Sequence, residues 1–257
     1  MRNFVARVSL KGARILSAVL KNHVYVMRFG LAQGFKRRFG FGSRIRFRLK
    51  PEERFLQALD LTGKTVYDLG AFIGYYAMFF ARQVGSAGCV YAFEPNARNF
   101  NEATFNVGLN HLDNVQLFHL GLGATSERLT FVVDGDYPAR GTFDPARQAA
   151  ACQQHDPERL VIEVDSLDHI IQEKKLKKPD FIKIDVEGFE DQVLAGMENT
   201  LSAHHPDLFI EMHGHHGREV LTRLRQADYE IHHVETNEPV DPKQLDVTGG
   251  HLYCVHS

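Results

Sequence analysis

The chain has 257 residues, is 44% hydrophobic and 24% charged, and carries a formal net charge of −2. Those values fit an ordinary soluble α/β domain plus an extension, with a core large enough to stand without disulfides or structural metal. They exclude a helical membrane protein, since no run approaches the roughly 18 apolar residues of a spanning helix. Cys89, Cys152 and Cys254 are far apart and form no CxxC, which points to unpaired thiols in a reducing, cytoplasmic compartment.

The small net charge hides an asymmetry. Residues 1–50 hold 13 of the 30 Lys and Arg and no acid, so the other 207 residues hold 17 basic and all 32 acidic residues, a balance of −15. The chain therefore divides into a basic N-terminal extension, 1–50, and an acidic domain, 51–257. Such an extension suits folding back onto its own acidic domain, peripheral contact with an anionic membrane surface, or service as an Arg-rich targeting segment. No recognised module supports nucleic acid as a partner.

In chain order, Phe4, Val8, Ile15, Val19 and Val26 recur at loosely helical spacing and predict a helix or two over residues 3–29. The glycines of 30–50 read as loop or short strand. Pro51 followed by Glu52 and Glu53 starts a helix, with proline at the first position and acids in the first turn. A buried strand over 65–70 feeds a glycine turn and a helix over 75–84. Strand 88–94 leads to helix 96–108, which Asn96 caps, and strand 115–120 follows. Leu129–Val133 and Leu160–Val164 read as paired strands, with a polar excursion over the active-site face between them. Helix 166–174, strand 181–185, helix 189–197, a short helix near 199–204, strand 207–212, helix 216–226 and strands 229–234 and 251–256 complete the chain. This alternation predicts a doubly wound, mostly parallel sheet with helices on both faces.

Two strand ends carry a pattern. Asp68-Leu-Gly70-Ala-Phe72-Ile-Gly74 sets an acid before two glycines four apart, where open α/β sheets bind ligands. Glycine there lets the backbone approach a ligand closely. A hydride-transfer cofactor would want GxGxxG instead, and Asp68 would repel a pyrophosphate. The turn suits a cationic, hydroxyl-rich ligand such as S-adenosylmethionine, which has a sulfonium and an ammonium. Phe93-Glu94-Pro95-Asn96 ends the next strand, with Glu94 placed to accept two ribose hydroxyls. Phe72 is placed to pack on the cofactor, and a hydroxyl of Tyr75 or Tyr76 to reach it. Tyr137 and Arg140, in the excursion, are placed to meet substrate.

A third strand end, Ile184-Asp185-Val186-Glu187-Gly188-Phe189-Glu190, makes the set specific. With the two motifs upstream, it resembles the FkbM family of S-adenosylmethionine-dependent methyltransferases, in which IDVEGxE is the hallmark. The likeness covers roughly residues 60–256 and leaves out the basic extension. It implies a class I methyltransferase fold with sheet order 3-2-1-4-5-7-6, the last strand antiparallel and inserted beside 207–212. It also implies methyl transfer to a hydroxyl of a sugar, glycan or other small metabolite. By position, Asp68, Gly70 and Gly74 would hold the methionine end and Glu94 the ribose. Asn96 would border the adenosine, and Gly121 and Leu122 the adenine.

Methyl transfer is an in-line displacement, so alignment supplies much of the rate, and a base must take the proton of a neutral hydroxyl. The candidates are Asp185, Glu187 and His213, with Asp185 and His213 nearest the substrate. Glu187 either orients them or caps a helix. Asp185, Glu187, Glu211 and His213 could also assemble a hard-ligand site. Chance clustering suffices to explain that set in a chain with 14 histidines, so no metal is assigned. Two other readings stay open: a non-catalytic nucleotide-binding module on the same sheet, and an NAD or nucleotide-sugar enzyme.

Overall fold

A computed structural model describes residues 23–38, 48–133, 141–154, 157–241, 243–244 and 246–256. The helices read into residues 3–22, and Tyr137 and Arg140, lie outside the described residues. In chain order the elements are β1 (Val24–Val26), β2 (Lys36–Arg38), α1 (Pro51–Ala58), β3 (Thr65–Leu69), α2 (Tyr75–Val84), β4 (Cys89–Phe93) and α3 (Ala97–Leu109). Next come β5 (Val115–Phe118), β6 (Gly121–Leu122), β7 (Glu127–Val133), β8 (Gly141–Thr142), α4 (Pro145–Gln154), β9 (Glu158–Asp165) and α5 (Leu167–Lys174). The chain continues through β10 (Phe181–Ile184), α6 (Glu190–Ala195), α7 (Glu198–His204), β11 (Asp207–Glu211), α8 (Gly217–Gln226), β12 (Tyr229–His233) and β13 (His251–His256).

The main sheet runs β5-β4-β3-β10-β11-β13-β12. Numbered by their place in this sheet, the strands stand in the order 3-2-1-4-5-7-6. The last strand, β13, lies between β11 and β12 and is antiparallel to both, as the family likeness implies. Period-2 alternation divides the core between two faces. Tyr67, Leu69, Ile182, Ile184, Leu208 and Ile210 pack with residues of α5 to α8 on one face. Val66, Phe181 and Phe209 pack with Leu56 of α1 and Phe80 of α2 on the other. The same alternation puts Asp68 and Lys183 on the second face, and the β3–β10 register sets them directly opposite. Covered on both faces, β3 has every residue buried, which is why it reads as a continuous apolar run broken by one acid.

Helix starts follow the sequence. Pro51 opens α1 with Glu52 and Glu53 in its first turn. Asn96 caps α3 by accepting from the Arg98 N–H at 2.9 Å. Three readings need correction. Val26, read as helical, lies in a β-hairpin in which β1 pairs antiparallel with β2. Gly30 and Gly34 both have positive φ in its turn. The strand read over 115–120 stops at Phe118, and Gly121–Leu122 instead starts a second sheet, β6-β9-β7-β8. The polar excursion contains β8 and α4, which its composition conceals.

The described part of the basic extension packs on the acidic domain. Met27 and Ala32 join Met78 of α2 and Val107 of α3 in one apolar cluster. Arg82 hydrogen-bonds the carbonyls of Leu31 and Gln33, and Asn110 Nδ2 donates to the Lys36 carbonyl at 2.7 Å.

Candidate active site

The carboxyl ends of β3, β4 and β10 converge on two cavities. The narrower has a volume of about 210 Å³ and is walled by Phe72, Glu94, Asn99 and Leu122, with Phe131 of β7 and Phe143 just after β8. The wider, about 630 Å³, lies under the hairpin residues Tyr25–Gly30, with Arg37, Lys50, Tyr75 and Tyr76 in its wall. Gly70, Phe72 and Asp185 line both, so the cavities adjoin at these three residues.

The glycine turn is shaped by the sheet as much as by any ligand. A Cβ on Gly70, at φ +82°, would lie 1.9 Å from the Asp185 carbonyl oxygen; only glycine lets the two strand ends close. Phe72 is held at φ 51°, a left-handed conformation that costs a non-glycine residue energy. Its N–H donates to Glu94 Oε2 at 2.8 Å. Glu94 Oε1 accepts from Asn96 N–H at 3.0 Å and Asn99 Nδ2 at 3.2 Å. Burial outweighs these bonds and pushes the Glu94 carboxyl up to about 7. A carboxylate has about four acceptor sites, and three are occupied, so Glu94 can still take a hydroxyl.

The other predicted cofactor residues stand at varying distances from this wall. Asp68 is fully buried and lines neither cavity; its Oδ1 accepts from Lys183 Nζ at 2.9 Å. Gly74 lines neither cavity and packs against Ala103 of α3. Asn96 caps α3 behind Glu94. Gly121 packs against Phe143 and Val164, while its neighbour Leu122 reaches the narrow cavity.

Lys183 carries no signal in the sequence reading, yet it organises the site. It is 1% exposed and its Nζ also donates to the Gly70 carbonyl at 3.2 Å and lies 3.5 Å from Asp185 Oδ2. The ring of Tyr76 lies 4.9 Å from it. Burial works against its ammonium, but Asp68 and Asp185 more than compensate and hold its pKa above the ordinary lysine value. A lone lysine inside an apolar central strand is the sign that could have revealed it, because lysine is almost never fully buried unless paired.

The IDVEG turn brings the three predicted catalytic residues together. Glu187 has φ 53°, and its carboxylate meets Arg147 of α4 at 2.6 Å and lies 3.8 Å from His213 Nε2. It does not cap α6, whose N-cap is Phe189. Burial raises the Glu187 pKa, opposed by His213 and Arg147. His213 Nδ1 stands 3.1 Å from Glu190 Oε1, and Nε2 stands 3.5 Å from Glu211 Oε1. Burial disfavours the His213 imidazolium. Glu190 and Glu211, with Asp185 and Glu187 nearby, outweigh that and push its pKa up to about 11. Of the three predicted catalytic residues, Asp185 is the one that lines both cavities. The excursion closes over the turn, with Thr142 Oγ1 donating to the Glu187 carbonyl at 2.7 Å.

The wall fits the cofactor: apolar and aromatic side chains suit a purine, and Glu94 suits a ribose diol. Sheet order, glycine turn and the acid at the next strand end define a class I S-adenosylmethionine-dependent methyltransferase. Residues 68–231 match the methyltransferase FkbM domain, and the chain belongs to that family. Among curated relatives, hexuronic acid methyltransferase AglP of Haloferax volcanii is 25% identical over 216 residues, 78% of this chain and 84% of that one. Methyltransferase 1 of Beauveria bassiana is 26% identical over 52% of this chain and 58% of its own. A solved methyltransferase FkbM from Methylobacillus flagellatus aligns at 21% identity with a TM-score of 0.47. The alignment covers 77% of this chain and 45% of that one.

Proposed function

We propose that this protein methylates an oxygen of a sugar, with an acidic sugar as the acceptor class and Asp185 as the group that receives the acceptor's proton. The observation that carries this is the junction: Asp185 lines both the narrow cavity, which suits the adenosyl group, and the wide one. S-adenosylmethionine supplies an electrophilic methyl group on a sulfonium. Glu94 would hold its ribose, and the Gly70–Phe72 turn its methionine side.

The wide cavity is the acceptor site in this reading. Its volume, about 630 Å³, lies in the usual range for small-molecule sites. Arg28, Arg37 and Lys50 in its wall suit a carboxylate, and Tyr25 and Phe29 suit a pyranose face. The hexuronic acid named for the Haloferax relative supports the same class. Lys183, with Nζ 3.5 Å from Oδ2, holds Asp185 in place, and the hairpin limits water around the reacting atoms. A cytoplasmic site of action accords with Cys89 and Cys254, both free thiols. Among the described residues no helix is long and apolar enough to cross a membrane.

The test is calorimetric titration with S-adenosylhomocysteine, followed by transfer of labelled methyl to glucuronide and glucoside glycosides. Micromolar binding with label on the glucuronides is expected. Binding with label on neither sugar would remove the sugar reading, and NADH binding in place of S-adenosylhomocysteine would remove the methyl donor.

A further inference from the structure

Asp185, Glu211 and His213 each present one ligand atom, and the three atoms lie within 4.8 Å of one another. An octahedral ion with bonds of about 2.0–2.1 Å spans up to about 4.2 Å between ligands, so a closure of under about one ångström completes the set. Two further observations mark this as more than an acidic patch. First, His213 is oriented as metal-bound histidines are: Nδ1 rests on the carboxylate of Glu190, whose side chain is 1% exposed, and Nε2 faces the other acids. Second, the remaining Glu190 oxygen, Oε2, is buried and has no hydrogen-bond partner. Around this point Asp68, Asp185, Glu187, Glu190 and Glu211 face Lys183 and Arg147.

We infer that Asp185, Glu211 and His213 bind a divalent cation of the magnesium–manganese class, with Glu190 as the residue that positions His213. Carboxylate oxygens predominate in the set, which favours those ions over softer ones. An ion here would meet the acceptor oxygen at Asp185 and acidify its hydroxyl, so that a weak carboxylate base suffices. This role rests on the methyl-transfer reading; the binding itself does not.

The experiment is a titration of the full chain with manganese(II), following the free-ion signal by electron paramagnetic resonance. One ion per chain should bind at micromolar concentration. Glu211→Gln, nearly isosteric, should weaken binding at least about tenfold, and Glu190→Gln by roughly 10–100-fold, with circular dichroism unchanged. Glu163→Gln, in an exposed pair with Arg128, should bind as the parent does. A folded parent protein that binds S-adenosylhomocysteine but leaves the manganese signal untouched at millimolar ion would overturn the inference while sparing the methyl donor. So would binding that survives Glu211→Gln. Manganese binding without S-adenosylhomocysteine binding would keep the metal site and sink the methyl-transfer reading.

Discussion

Asp68 and Asp185 lie near the carboxyl ends of neighbouring strands, share Lys183, and end in different circumstances. Asp68 is fully buried, lines neither cavity, and pairs through Oδ1 with Lys183. Asp185, one residue beyond β10, has a side chain 23% exposed and borders both cavities. The chain that follows a strand-end acid thus decides whether a cavity reaches it. The glycine turn covers Asp68, and the IDVEG turn leaves Asp185 open.

The largest break in that comparison should come from Lys183→Met. Removing one member of a buried pair strands the other's charge, so unfolding free energy in urea should fall by about 3–5 kcal/mol. Asp185→Asn should instead lower turnover by roughly 10²–10⁴-fold, the range for a general base, with little change in the urea midpoint. Equal loss of stability in both variants would erase the distinction between the two acids. Glu94 sharpens it from a third side. Its carboxyl is raised from 4.5 to about 7, so between those values the folded state holds a proton that the unfolded state has released. Stability should accordingly decline by roughly 3 kcal/mol as pH rises through that window. Glu94→Gln should flatten this decline and weaken S-adenosylhomocysteine binding by about 1–3 kcal/mol, measured by calorimetry at pH 8. Arg128→Ala, in an exposed pair with Glu163, should change the unfolding free energy in urea by less than about 0.5 kcal/mol and marks the floor of the series.

What the sequence made legible is what local pattern encodes. An apolar run closed by an acid located β3 and β10 to within a residue, and Asn96 announced its helix because an Asx cap is a local bond. The DLGAFIG, FEPN and IDVEG segments located Gly70, Phe72, Glu94 and Asp185, all of which line a cavity. Lys183 stayed hidden because its partner lies 115 residues away, and only the register of β10 on β3 brings them together. The hairpin stayed hidden for a related reason. Its strands are three residues each, the second of them Lys-Arg-Arg, and only packing on α2 and α3 fixes them. Glu190 stood in the motif without an evident task; its bonds to Gly188 N–H and His213 belong to the tertiary structure.

The hairpin's contacts also carry a consequence in time. The Leu31 N–H bonds a tyrosine hydroxyl 44 residues later, and the Lys36 N–H an asparagine 74 residues later. At a synthesis rate of about 5–20 residues per second, the hairpin waits seconds on the ribosome for surfaces that do not yet exist. Two strands of three residues do not hold together alone. The wall that would choose the acceptor is thus made before the surfaces that give it a shape.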